Sequence, residues 1–94
     1  MKTYQEWMKS GQNLSDFLQV GDVVDEEMYD YFLGVLPPAC MSSWCIQIGE
    51  PYSHDEDGPL YDTLIKKNDQ WIYAGHRNTP KKGQVPEWLS MLMS

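Results

Sequence analysis

Between Ser10 and Ile65 the chain has no lysine and no arginine, although the same stretch carries eleven aspartates and glutamates. Phosphate binding needs a basic stripe, so direct nucleic-acid binding is not expected. No apolar run approaches the ~18 residues that would suggest a membrane span. The first twenty residues also lack the apolar stretch and small-residue cleavage site of a secretory signal. A cytoplasmic location away from membranes is therefore expected. Cysteine is scarce. Cys40 and Cys45 alone make no disulfide framework. A zinc site would need two more ligands, which His54 and His76 would have to bring from elsewhere in the chain, and the spacing is not the redox C-x-x-C. Gly34, Gly49, Gly58 and Gly75 stand singly, which leaves no phosphate-cradling loop. A G-x-S-x-G nucleophile turn and internal repeats are both missing. No cofactor is expected.

What is present suits one small domain of 94 residues. Hydrophobic residues make up 41% of the chain, and four Trp, six Tyr and six Met supply bulk for a thin core. The net charge of −7 is unevenly placed: residues 66–94 carry five bases against two acids. Such asymmetry gives one strongly negative side, suited to solubility or to a basic protein partner.

Hydrophobic spacing predicts four short helices. Tyr4, Trp7 and Met8 mark about 3–10, capped by Thr3 and ended by Gly11. Leu14, Phe17 and Leu18 mark about 14–20. Met28, Tyr29, Phe32, Val35 and Leu36 mark about 26–36. That helix starts at Asp25, has Glu26 and Glu27 in its first turn, and is stopped by Pro37-Pro38. Trp88, Leu89 and Leu92 after Pro86 mark about 86–93.

The period then changes to two. Trp44, Ile46 and Ile48 predict a strand over about 42–49, facing inward. Gly49 to Pro59 reads as a loop. Strands over about 60–67 and 70–76 flank Asn68-Asp69. A two-residue turn there sets Ile65 opposite Ile72 and Leu64 opposite Tyr73. The expected fold is α+β: a three-stranded antiparallel meander with the helices packed mainly on one face.

The loop holds the candidate binding residues Glu50, Tyr52, His54, Asp55 and Asp57. The run from His54 to Gly58 is acidic but does not match a calcium loop, because the later glutamate is absent, so no metal is expected. Trp71 and Tyr73 complete the candidate set, on a hairpin with apolar side chains on both faces. One hairpin face should meet the core, and the other is a candidate contact surface.

Three strings, "VDEEMYDYFLGVLPP" at 24–38, "IGEPYSHDEDGPLYDTL" at 48–64 and "WIYAGH" at 71–76, resemble small bacterial proteins of unknown function, often carried on plasmids, phages and other mobile elements. The resemblance implies a bacterial cytoplasmic protein and carries over no functional residue. It makes the loop between 49 and 59 the first place to seek a working surface.

The leading expectation is a small acidic, non-enzymatic binding or regulatory module that engages a basic protein partner or a second copy of itself as a homodimer. One alternative is a DNA-mimic-like inhibitor of a nucleic-acid or defence enzyme, with carboxylates standing in for phosphates. Another is a small hydrolase or metal-binding protein using His54 and His76 with carboxylates, which requires those groups to converge.

Overall fold

The computed structural model describes residues 1–34, 40, 41, 43–81 and 83–93. Four helices and six strands follow one another along them: α1 (Tyr4–Ser10), α2 (Leu14–Phe17), β1 (Val23–Val24), α3 (Glu26–Gly34), β2 (Cys40–Met41), β3 (Cys45–Gln47), β4 (Ser53–Asp55), β5 (Gly58–Lys67), β6 (Gln70–Arg77) and α4 (Glu87–Met93).

The helix starts follow from local chemistry. Thr3 accepts from the Glu6 backbone while Glu6 reaches back to the Thr3 backbone, a reciprocal cap that satisfies orphan donors at α1. Gly11 ends α1 in the left-handed region at φ 68°. One oxygen of Asp25 accepts from Met28 N at 3.0 Å, capping α3, and from Tyr4 N at 3.1 Å, tying the start of α1 to it. The expected spans contract. The second helix stops at Phe17 rather than residue 20, because the chain leaves to pair with β6. There Gly21 N donates to Tyr73 O, and Tyr73 N donates to Asp22 O. The expected end of the third helix at residues 35 and 36, with its proline stop, and residue 42 of the expected strand lie outside the described residues.

The three-stranded meander is corrected by the sheet itself. The strand order is β1-β6-β5-β3-β2, with β4 pairing with β5 beside that path. Among the described residues every strand pair is antiparallel, and an isolated parallel bridge from Lys2 to Val24 makes the sheet mixed. Strands of two or three residues are too short to show a period, and that is why β1, β2 and β4 escape a periodicity reading. Their pairing comes from neighbours that β5 and β6 provide.

The β5–β6 register is the one a two-residue turn dictates, with Ile65 opposite Ile72 and Leu64 opposite Tyr73. Asn68 and Asp69 both take positive φ, 51° and 61°, as a twist-matched two-residue turn requires. The strand expected over 42–49 is shortest of the three, Cys45–Gln47, and it is buried on both faces rather than half-buried. It lies between β5 and β2, so Cys45 and Gln47 are as hidden as Ile46. Trp44, expected inward with Ile46 and Ile48, packs instead with the opposite cluster.

Three of the four helices, α1–α3, cover one face, and α4 covers the other. On the first face, α1–α3 bring Trp7, Leu14, Met28 and Phe32 onto Ile46, Leu64 and Tyr73. On the second, Trp88, Leu89 and Leu92 of α4 lie on Ile65, Ile72 and Ala74. The second hairpin face, a candidate contact surface from sequence, is therefore occupied by the chain's own last helix. A sheet with apolar residues on both sides needs two layers to bury them. No described helix is long and apolar enough to cross a membrane.

Candidate functional site

Successive strand residues point to opposite faces, so Tyr73 and His76, three apart, should point apart. They do not, because β6 carries a bulge. Leu64 pairs with Tyr73, but Thr63 pairs with Gly75 and Asp62 with His76, which leaves Ala74 as the extra residue. Gly75 absorbs the distortion at φ 84°, and a Cβ there would meet Val20 Cγ2 at 3.0 Å. The bulge returns His76 to the face of Tyr73, where Asp62 also points.

The three side chains form a compact polar group at the margin of the first core face. Tyr73 Oη donates to Asp62 Oδ1 at 2.6 Å. His76 Nε2 sits 3.1 Å from the same oxygen, an ion-pair distance for a protonated ring. Its approach is too oblique for a hydrogen bond, and Nε2 is closed off from solvent. Tyr52 lies flat on the His76 ring, with centroids 3.8 Å apart and planes within 11°. Burial, reinforced by the hydrogen bond to Asp62, pushes the Tyr73 phenol far above its ordinary value of 10.0. Burial also raises the Tyr31 phenol, with Tyr4, Asp62 and Glu50 adding to it, so α3 reaches the same neighbourhood.

Chemically, the group holds a carboxylate and an imidazole, 14% and 23% exposed, beside the more exposed Tyr52 ring. A general base must reach a substrate proton directly or through one water. His76 Nε2 is shielded from such an approach in this arrangement, and Asp62 Oδ1 is engaged by Tyr73. His54 is exposed on β4, opposite Pro59. Among the described residues no hydrogen bond, ion pair or ring contact joins it to His76.

The seven sequence candidates divide into four places. Tyr52 and Tyr73 both belong to the Asp62 group, Tyr52 being 59% exposed and Tyr73 buried. Glu50 is exposed in the turn just before Tyr52. His54, Asp55 and Asp57 belong to a hairpin, not a loop. Residues 53–55 pair with 58–60, so Glu56 and Asp57 form its two-residue turn. Asp55 Oδ1 accepts from Asp57 N at 2.9 Å and from Asn78 Nδ2 at 3.2 Å. That carboxylate shapes the turn and fastens it to the chain after β6. No cluster of three or more metal-ligating residues occurs among the described residues. Trp71 stands apart, stacked on Tyr29 of α3 at 4.5 Å.

Asp62 and its pairing with His76 were missed from sequence. The only local signal was Gly75 inside a strand pattern, which suggests a bulge and hence a break in face parity. No protein-family model matches the chain, and neither a curated protein nor a solved structure does.

Proposed function

We propose that this chain is a small acidic binding module, not an enzyme, and that it engages a basic protein partner through the β4–β5 hairpin. The observation that carries this reading is a run over residues 50–57 that is exposed except at the half-buried Ser53. Glu50, Tyr52, His54, Asp55, Glu56 and Asp57 are all open to solvent, with an aromatic ring among four carboxylates. The run is also held in place. Tyr52 is seated on His76, and Asp55 is fastened to Asn78. A surface that is already ordered gives up less conformational entropy when it binds. Carboxylates around an aromatic anchor fit a lysine- or arginine-bearing surface, where charge speeds encounter and the ring supplies a buried contact.

The test compares the native chain with Tyr52→Ala and Glu56→Lys as bait in its host lysate, at low and at high salt. A partner should be retained by the native chain at low salt and lost with either variant and with added salt. Retention of the same partner by both variants at every salt concentration would refute the reading.

A further inference from the structure

The two ring nitrogens of His76 meet different surroundings. Nε2 is closed off from solvent without a hydrogen-bond partner, 3.1 Å from Asp62 Oδ1. A lone pair there would face a carboxylate oxygen, so the neutral ring carries its hydrogen on Nε2. Nδ1 is then the basic nitrogen. No hydrogen bond among the described residues engages it, and 23% of the side chain is open to solvent. A proton taken up at Nδ1 puts a full charge beside Asp62 and against the stacked Tyr52 ring. The groups around the imidazole are Asp62 from β5, Tyr73 from β6 and Tyr52 from the segment before β4. From α3 comes Tyr31, within electrostatic reach of Asp62 and Glu50. The Tyr31 and Tyr73 phenols are both raised and stay neutral, so the carboxylates supply the charge here. Arg77, the next residue, is turned to the Trp88 ring on the second face.

We propose that His76 is a proton-operated catch for Tyr52. The charged ring fastens the tyrosine and the segment from Glu50 to Tyr52, and the neutral ring lets them move. What the catch regulates rests on the binding-module reading, in which Tyr52 is the aromatic anchor; the catch itself rests on the geometry of the group. A charged imidazole is attracted by the Asp62 carboxylate at a site partly removed from water, where such attraction is strong. The face of the Tyr52 ring attracts it as an aromatic ring attracts any cation. A neutral imidazole keeps only the stacking contact. The surface is therefore ordered on the acid side of the titration and loosened on the alkaline side.

The experiment is an NMR titration of the isotopically labelled chain from about pH 5 to about pH 8, the range in which histidine charge ordinarily changes. It reads the His76 ring, the Tyr52 ring and the backbone order of residues 50–52. As His76 loses its proton, the Tyr52 ring resonances should move toward those of a free tyrosine with the same midpoint. The order of residues 50–52 should fall in step. Asp62→Asn, which keeps an acceptor for Tyr73, should weaken that movement, and His76→Gln should abolish it. His54→Gln, on exposed β4, should leave it intact and so single out the histidine responsible. A Tyr52 ring that stays fixed while His76 titrates would overturn the proposal, as would one that moves equally in the native chain and in Asp62→Asn or His76→Gln. A working catch in a chain that captures no partner upholds the catch and removes the module. Partner capture through Tyr52 with a ring that ignores pH removes the catch and leaves the module.

Discussion

The two faces of the sheet are built from the same strands but held to different standards. On the first face, Met28, Phe32, Ile46 and Leu64 are almost wholly buried beneath three helices. On the second, Ile65, Ile72 and Ala74 are buried, but Trp88, Leu89 and Leu92 of the covering helix are only half-buried. The described residues 78–81 and 83–86 that lead to the α4 cover have no regular secondary structure, and Lys67 Nζ donates to Leu92 O at 3.1 Å to hold it. The difference teaches that burial on both sides of a sheet need not be equally strong. The difference in burial predicts that the α4 face opens at lower free energy than the α1–α3 face.

The sharpest break of that comparison is a matched pair of truncations. Phe32→Ala should destabilise the chain by about 3–5 kcal/mol, and Leu89→Ala by only about 1 kcal/mol, both measured by urea unfolding. Similar losses would show the two faces to be equivalent. Next in size is Asp62→Ala at the margin of the first face. It strips the buried Tyr73 hydroxyl of its acceptor and should lower stability by about 1–3 kcal/mol, with unfolding midpoints as the readout.

A pH dependence accompanies the same bond. The folded Tyr73 phenol is raised above 10.0, whereas the unfolded one ionises near 10. Its contribution is therefore complete below about pH 10 and declines as pH rises beyond it, because the unfolded chain binds fewer protons there. Tyr73→Phe should flatten the fall in stability between about pH 9 and about pH 11, leaving a residual slope to which Tyr31 contributes. An unchanged slope in the variant would show that the phenol is not the responsible group.

The smallest effect concerns the hairpin that joins the two faces. Asp55→Ala removes the acceptor of Asp57 N and Asn78 Nδ2 and should cost about 0.5–1.5 kcal/mol. Amide exchange should quicken at residues 53–60 and not in α3. Protection lost evenly over both regions would place the hairpin within the main cooperative unit.

Much of the architecture was readable where one segment carries its own instruction. Thr3, Glu6 and Gly11 specify both ends of α1, and Asp25 specifies the start of α3. The alternation around Asn68-Asp69 specifies the β5–β6 register. The candidate site was less readable. Tyr52, Asp55 and Tyr73 stood out as residue types in a turn-rich or strand-like context, but their partners Asp62, His76 and Asn78 did not. Those partners lie between 11 and 24 residues away and are set by strand pairing. Trp71 drew notice for its bulk, and the structure uses that bulk to stack on Tyr29.

By itself the amino-acid order determined the acidic character, the helix starts, the central hairpin and the presence of apolar residues on both of its faces. These depend on side-chain chemistry and on periodicities that act within about ten residues. Only the tertiary structure decided the edges of the sheet, the bulge that turns His76 toward Asp62, and the use of α4 to cover the second face. Each of those depends on which distant backbone groups find one another. Two- and three-residue strands hold no periodic signal of their own, and a one-residue bulge reverses every side chain beyond it.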